Sequence, residues 1–385
     1  MNFSRAYVLE TVAAAVAAAV FPGCGPGDGS AEFDRGMKLF EEKKFSLAAV
    51  EFAESSRLAP GGANALLMEA RAKLAAGDKA GAVKAAKAGL ALAPDAPDAI
   101  EIAAQTLFFA GDAKASSELF SRLAEGGGFS PSERSAGFSG LGAAEMAAVS
   151  SGNIEVRRET ARGALLRALR LDPSNAPARY NLAMLYRDTF GYPGPALDQF
   201  ALYARIDKSG SGRVVKVREK IIPELKASMA AETARRVGEG PRDSVASSKS
   251  LRTAVEAMEK KRYPAAYAAY AAAFKQDPSN AQAALGLAEA AFKRTPGKAG
   301  AAEAFKYARA AAALRPGSKE ILLRAGTFAA KAGNEAGAIE AYSRALAVSP
   351  SDAQTALALE NSYIRAGKKR AAESVREYRK SLSAK

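Results

Sequence analysis

Six prolines recur at the ends of alanine-rich stretches, in the phrases SRLAP, ALAP, RLDPSN, KQDPSN, LRPGS and AVSPSD. They are Pro60, Pro94, Pro173, Pro278, Pro316 and Pro350. Pro60 to Pro94 is 34 residues and Pro316 to Pro350 is 34 again; Pro278 to Pro316 is 38, with the extra residues in KRTPGKAGA at 293–301. A proline ends a helix because it lacks the N–H and its ring crowds the preceding turn. Stops in phase therefore predict a tandem array of short helical units rather than a collection of unrelated helices.

The sequence between the stops agrees. Of the 385 residues 48% are hydrophobic, much of that is alanine, and tryptophan is absent. Alanine is the strongest helix former, and the aromatic residues that favour sheet are sparse, so an all-α fold of closely packed helices is expected. There is no histidine and a single cysteine, Cys24. That removes the commonest general base and metal ligand, and it excludes an internal disulfide, a CxxC redox pair and a thiolate zinc cage. No catalytic residue, metal site, cofactor or small-molecule substrate is assigned, and the chain reads as a non-enzyme.

Charge is unevenly spread. The net formal charge is +14. Residues 31–208 hold 22 Lys+Arg against 22 Asp+Glu, whereas 209–385 hold 32 against 17. The basic half suits an anionic partner or serves as a solvated, solubilising surface. Nucleic acid is not expected, because the aromatic interleaving that stacks on bases is sparse.

The cleanest unit is 319–352, KEILLRAGTFAAKAGNEAGAIEAYSRALAVSPSD, with Gly326, Ala338, Tyr342, Ala345 and Pro350 at its positions 8, 20, 24, 27 and 32. This pattern resembles the tetratricopeptide repeat, which has small residues at 8, 20 and 27, an aromatic at 24 and proline at 32. Gly36, Ala48, Phe52 and Pro60 match in 29–62, where Ser55 replaces the small residue at 27; Ala254, Ala266, Tyr270, Ala273 and Pro278 match in 247–280. Looser copies bring the total to about nine. The resemblance implies an α-solenoid of helix–turn–helix repeats in two arrays, each a right-handed superhelix, joined by a helical linker. The first helix of each unit would line a groove that holds an extended peptide or a partner's helix. Groove candidates in the basic array are Arg252, Lys293, Arg324, Lys331 and Arg365. Lys293, Lys331 and Arg365 share position 13 and form a ladder for an acidic partner. The same cations equally suit helix C-termini, where the macrodipole favours them.

At the N-terminus, Thr11–Phe21 (TVAAAVAAAVF) is uncharged and apolar but shorter than the ~20 residues a membrane span needs. Followed by Pro22-Gly23-Cys24, it resembles a bacterial lipoprotein signal, which is cleaved before a cysteine that becomes lipidated. Gly23 and Cys24 match the end of that motif, and Phe21 and Pro22 depart from it. The expected organisation is a signal peptide at 1–23, a flexible tether at 24–30, a first array of about five repeats at 31–207, a helical cap and linker at 208–246, and a second array of about four repeats at 247–385. The expected partners are other proteins and, through lipid on Cys24, a membrane. That places the chain in the bacterial cell envelope, facing the periplasm. The alternative is a cytoplasmic or inner-membrane-tethered adaptor without lipidation.

Overall fold

The computed structural model describes residues 28–148, 153–237 and 243–383. Among them every regular element is helical. Helices α1 (Ser30–Glu41) and α2 (Phe45–Leu58) form the first antiparallel pair. Three more pairs follow: α3 (Ala63–Ala76) with α4 (Lys79–Leu92), α5 (Pro97–Ala110) with α6 (Ala113–Glu125), and α7 (Pro131–Ala147) with α8 (Ile154–Leu171); α9 (Ala176–Met184) and α10 (Pro193–Ile206) come next in the chain. After α11 (Gly212–Lys216) and α12 (Ile222–Val237) the pairing resumes. The last four pairs are α13 (Ser244–Glu259) with α14 (Tyr263–Gln276), α15 (Ala281–Arg294) with α16 (Lys298–Leu314), α17 (Lys319–Ala332) with α18 (Glu335–Val348), and α19 (Ala353–Arg365) with α20 (Lys369–Ser383). Wide π-type turns run over Leu185–Phe190 after α9 and over Val217–Ile221 before α12. The second of these abuts Pro223, whose missing N–H breaks the regular ladder there.

The chain divides into two compact units. One ends at Leu182 and also takes in Leu202–Lys216; the other holds Ala183–Ala201 and everything from Val217 onward.

Within a pair, the small residues expected at the crossing are buried and necessary. Ala338 and Ala345 are fully buried beside Tyr342. A Cβ on Gly326 would lie 2.6 Å from the Tyr342 ring, and one on Gly36 2.7 Å from Phe52. Such an approach is well inside van der Waals contact, so at these two positions a side chain would force the aromatic ring to shift. Ser55 is fixed by a hydrogen bond, its Oγ donating to the Gly29 carbonyl at 2.7 Å. Gly29 and Ser30 therefore belong to the folded first pair, and of the expected tether only 24–27 lies outside the described residues, together with the expected signal at 1–23.

The turns explain the recurring DPSN phrase. Asp172 and Asp277 accept from the backbone and hydroxyl of Ser174 and Ser279. Asn175 and Asn280 then cap the next helix, accepting from Ala178 and Ala283. The same two asparagines donate to Ser135 and Ser247, whose hydroxyls in turn donate to the Ala168 and Ala273 carbonyls. One tetrapeptide thus ends one helix, starts the next and ties both to the preceding pair.

The final pair breaks the rule. Glu360 stands where Gly326 stands in its own unit, and Arg376 and Arg379 stand where Tyr342 and Ala345 do. Arg376 Nε donates to Glu360 Oε1 at 2.7 Å, and Arg379 Nε to Oε2 at 2.9 Å. Burial works against the charge on Glu360, yet the two arginines hold its carboxyl below the usual range. The arginines keep 40% and 30% of their side chains exposed, which suits a terminal pair that no further unit covers.

Candidate partner-binding face

The first helices of neighbouring pairs approach one another directly, α3 with α5, α5 with α7, and α13 with α15, while second helices of neighbouring pairs stay further apart. The first helices therefore line the inner side of each stack. In the second unit this face carries the five cations expected from the sequence, and the structure treats them differently.

Arg324 on α17 reaches Glu289 on α15, with Nε 3.2 Å from Oε1. Lys331, in the last turn of α17, sets its Nζ 4.5 Å from the centre of the Phe292 ring on α15. Arg365, in the last turn of α19, donates from Nε to Glu335 Oε1 at 2.7 Å and from Nη2 to Ser362 Oγ at 2.9 Å. The bond to Glu335 raises the Arg365 pKa above its ordinary value, and burial opposes it only in part. Lys293 and Arg252 are exposed, and among the described residues neither makes an ion pair. Lys293 sits in the last turn of α15.

The three ladder residues thus occupy equivalent helix ends without touching one another. Their neighbour Arg294 turns the opposite way. It stacks 3.7 Å from the centre of the Tyr267 ring and pairs with Glu303 at 2.9 Å. Tyr267 donates to Glu303 at 2.7 Å and lies 3.4 Å from the Tyr307 hydroxyl. These contacts, Tyr307's first, push the Tyr267 hydroxyl pKa up.

Two apolar side chains share the face. Val255 on α13 and Ile364 on α19 remain 38% and 43% exposed, at the repeat positions taken by Glu289 and Phe292 on α15. The face is therefore an alternation of open cations, self-paired cations and uncovered aliphatic groups. Sequence reading named the cations but missed Glu289, Phe292 and Glu335. The signal was present: each lies in the unit preceding the cation it holds, so reading across adjacent repeats finds it.

No helix of the described residues is long and apolar enough to cross a membrane. Cys24 lies outside the described residues.

These paired helices with buried small residues at the crossings define an all-α helical-repeat protein. Residues 251–308, from within α13 to within α16, match the family model described as Tetratricopeptide repeat. Among solved structures the chain is similar to Pseudomonas aeruginosa pilF, at 18% identity over 52% of this chain and 88% of that one, with a TM-score of 0.41. It is also similar to TTC0263, a thermophilic TPR protein of Thermus thermophilus, at 18% identity over 60% and 98%, with a TM-score of 0.37. A third likeness is the TPR2AB domain of yeast Sti1 in its complex with pHSP90, at 15% identity over 94% and 100%, with a TM-score of 0.25. No curated protein matches the chain.

Proposed function

We propose that this chain is a non-enzymatic protein–protein interaction scaffold whose first-helix faces hold segments of partner proteins, the basic second unit taking an acidic segment. The observation that carries this reading is the inner face of α13–α19, where exposed Lys293 and Arg252 accompany uncovered Val255 and Ile364. Aliphatic groups left in water beside unpaired cations suit an acidic, partly apolar peptide or helix, which would cover the former and neutralise the latter. We further propose that lipid on Cys24 tethers the scaffold in the bacterial envelope, facing the periplasm; one acyl chain anchors marginally and several hold stably.

The test is partner capture by cross-linking, comparing the native chain with a Lys293→Glu, Lys331→Glu, Arg365→Glu variant. Reversal weakens capture if the face binds an acidic segment; an unchanged set of captured proteins retires the basic face. For the anchor, Cys24→Ser releases the protein from membranes and abolishes acyl labelling. Membrane attachment that survives the substitution favours the unlipidated adaptor.

A further inference from the structure

The first unit, which holds 24 Lys+Arg against 22 Asp+Glu, contains a more unusual arrangement on its inner face. Arg71 projects from α3, and Asp98, Glu101 and Gln105 from the neighbouring first helix α5. Arg71 Nη1 lies 3.9 Å from the Met68 sulfur, and its Nε is buried with no hydrogen-bond partner. A buried donor left unmade destabilises a fold, so such a group calls for a partner that completes the bond. On the other side, Glu101 accepts at Oε1 from Gln105 Nε2 at 2.7 Å. Among the described residues Arg71 and Glu101 form no direct ion pair. Burial pushes the Glu101 carboxyl up and the Arg71 guanidinium down, and the attraction of each for the other only partly offsets this. An orphan donor and a partly used acceptor therefore sit on adjacent helices, both side chains half-buried.

The chemistry of a group that would satisfy both sides follows. Two carboxylates against one guanidinium disfavour an anion, and the guanidinium disfavours a cation. A neutral group with one acceptor and one donor remains, and a main-chain amide is such a group. Phe108 and Phe109, half-buried with ring centres 5.0 Å apart, lie two turns further along α5. At 1.5 Å rise per residue this is about 11 Å from Glu101, or about three residues of extended chain. A ligand spanning both features is a peptide, and the amide is its main chain.

We propose that the Arg71–Glu101 site binds an uncharged, extended peptide segment, its main-chain carbonyl accepting from Arg71 and its N–H donating to Glu101, with an apolar side chain about three residues away against Phe108 and Phe109. This rests on the scaffold reading and gives the first unit a partner chemistry distinct from that of the second.

The experiment uses the full chain and N-acetylated, C-amidated octapeptides of Ser, Asn and Gly carrying one Leu or Phe, read by fluorescence anisotropy. Neutral peptides bind, and Arg71→Met and Glu101→Gln each weaken them at least tenfold, while Lys293→Glu does not. N-methylation of the amide three residues from the apolar side chain abolishes binding. Failure of every capped peptide to bind, preference for peptides carrying Asp or Lys, or indifference to Arg71→Met overturns the site. Indifference to N-methylation overturns the main-chain assignment in favour of an Asn side chain. Should Arg71→Met unfold, Glu101→Gln, which keeps the side chain's shape but replaces the charged acceptor by a weaker neutral one, carries the same test with its thermal midpoint recorded. Capture of partners at Lys293 while all octapeptides fail removes this site alone; loss of capture at both faces removes the scaffold reading.

Discussion

The two units handle charge in opposite ways on the same repeat. The first is close to neutral and, beside exposed surface pairs, seals one pair from water: Glu159 and Arg162 pair within α8 with side chains almost fully out of solvent, while half-buried Arg71 and Glu101 stand on adjacent first helices. The second is strongly basic and keeps its ion pairs near water, as in Arg324–Glu289, Arg365–Glu335 and the Glu360 clamp. A buried charge is strongly destabilising when left alone, so in the first unit charges govern stability and fine recognition. An exposed charge is solvated and screened, so under the proposed function the charges of the second unit would act chiefly in steering a partner.

The sharpest way to break this contrast is to strip a carboxylate from each side. Glu159→Ala leaves the Arg162 guanidinium buried without its carboxylate and costs about 3–5 kcal/mol, read as a lowered denaturation midpoint insensitive to salt. Glu360→Ala leaves arginines that water still reaches and costs less, about 1.5–3 kcal/mol. That loss shrinks as salt rises, and it shows first as faster amide exchange in α20. Equal losses with equal salt dependence would erase the distinction between the units.

Acid sharpens the contrast further. Asp352 caps α19 and pairs with Lys319 at 2.6 Å. Burial would raise its pKa, but the bonds from Lys319, Thr355 and the backbone hold it at about 2. A depressed carboxyl stabilises the fold fully above its unfolded value near ~3.9, and that contribution disappears as pH falls through about 2. Amide exchange at the start of α19 should therefore accelerate between about pH 4 and pH 2, and Asp352→Asn should remove the pH dependence. The smallest effect on stability is expected at Lys293. Its reversal to Glu changes folding by no more than about 0.5 kcal/mol, yet it slows association with an acidic partner at low salt.

How much of this was legible beforehand depends on whether a contact falls within one repeat or between two. The helix pairs followed from prolines in phase, and Gly326 against Tyr342 followed from one unit read alone. The Glu360 clamp did not, because it replaces a glycine–aromatic contact by an ion pair and so looks like a failed match rather than a substitute. Arg71 and Glu101 were invisible for a different reason. Counting charge over the first half sums them to nothing, while their importance lies in facing each other across adjacent helices. The acids that hold Arg324 and Arg365 were hidden the same way, one repeat upstream of the cations they pair with.

The central claim is that partners sit on the first-helix faces of both units. A photo-cross-linking residue placed at Lys293 or Gln105 tests it, with Leu47, 57% exposed on second helix α2, as the contrasting position. The account predicts partner cross-links from 293 and 105 and none from 47. Cross-links from position 47 alone would contradict it.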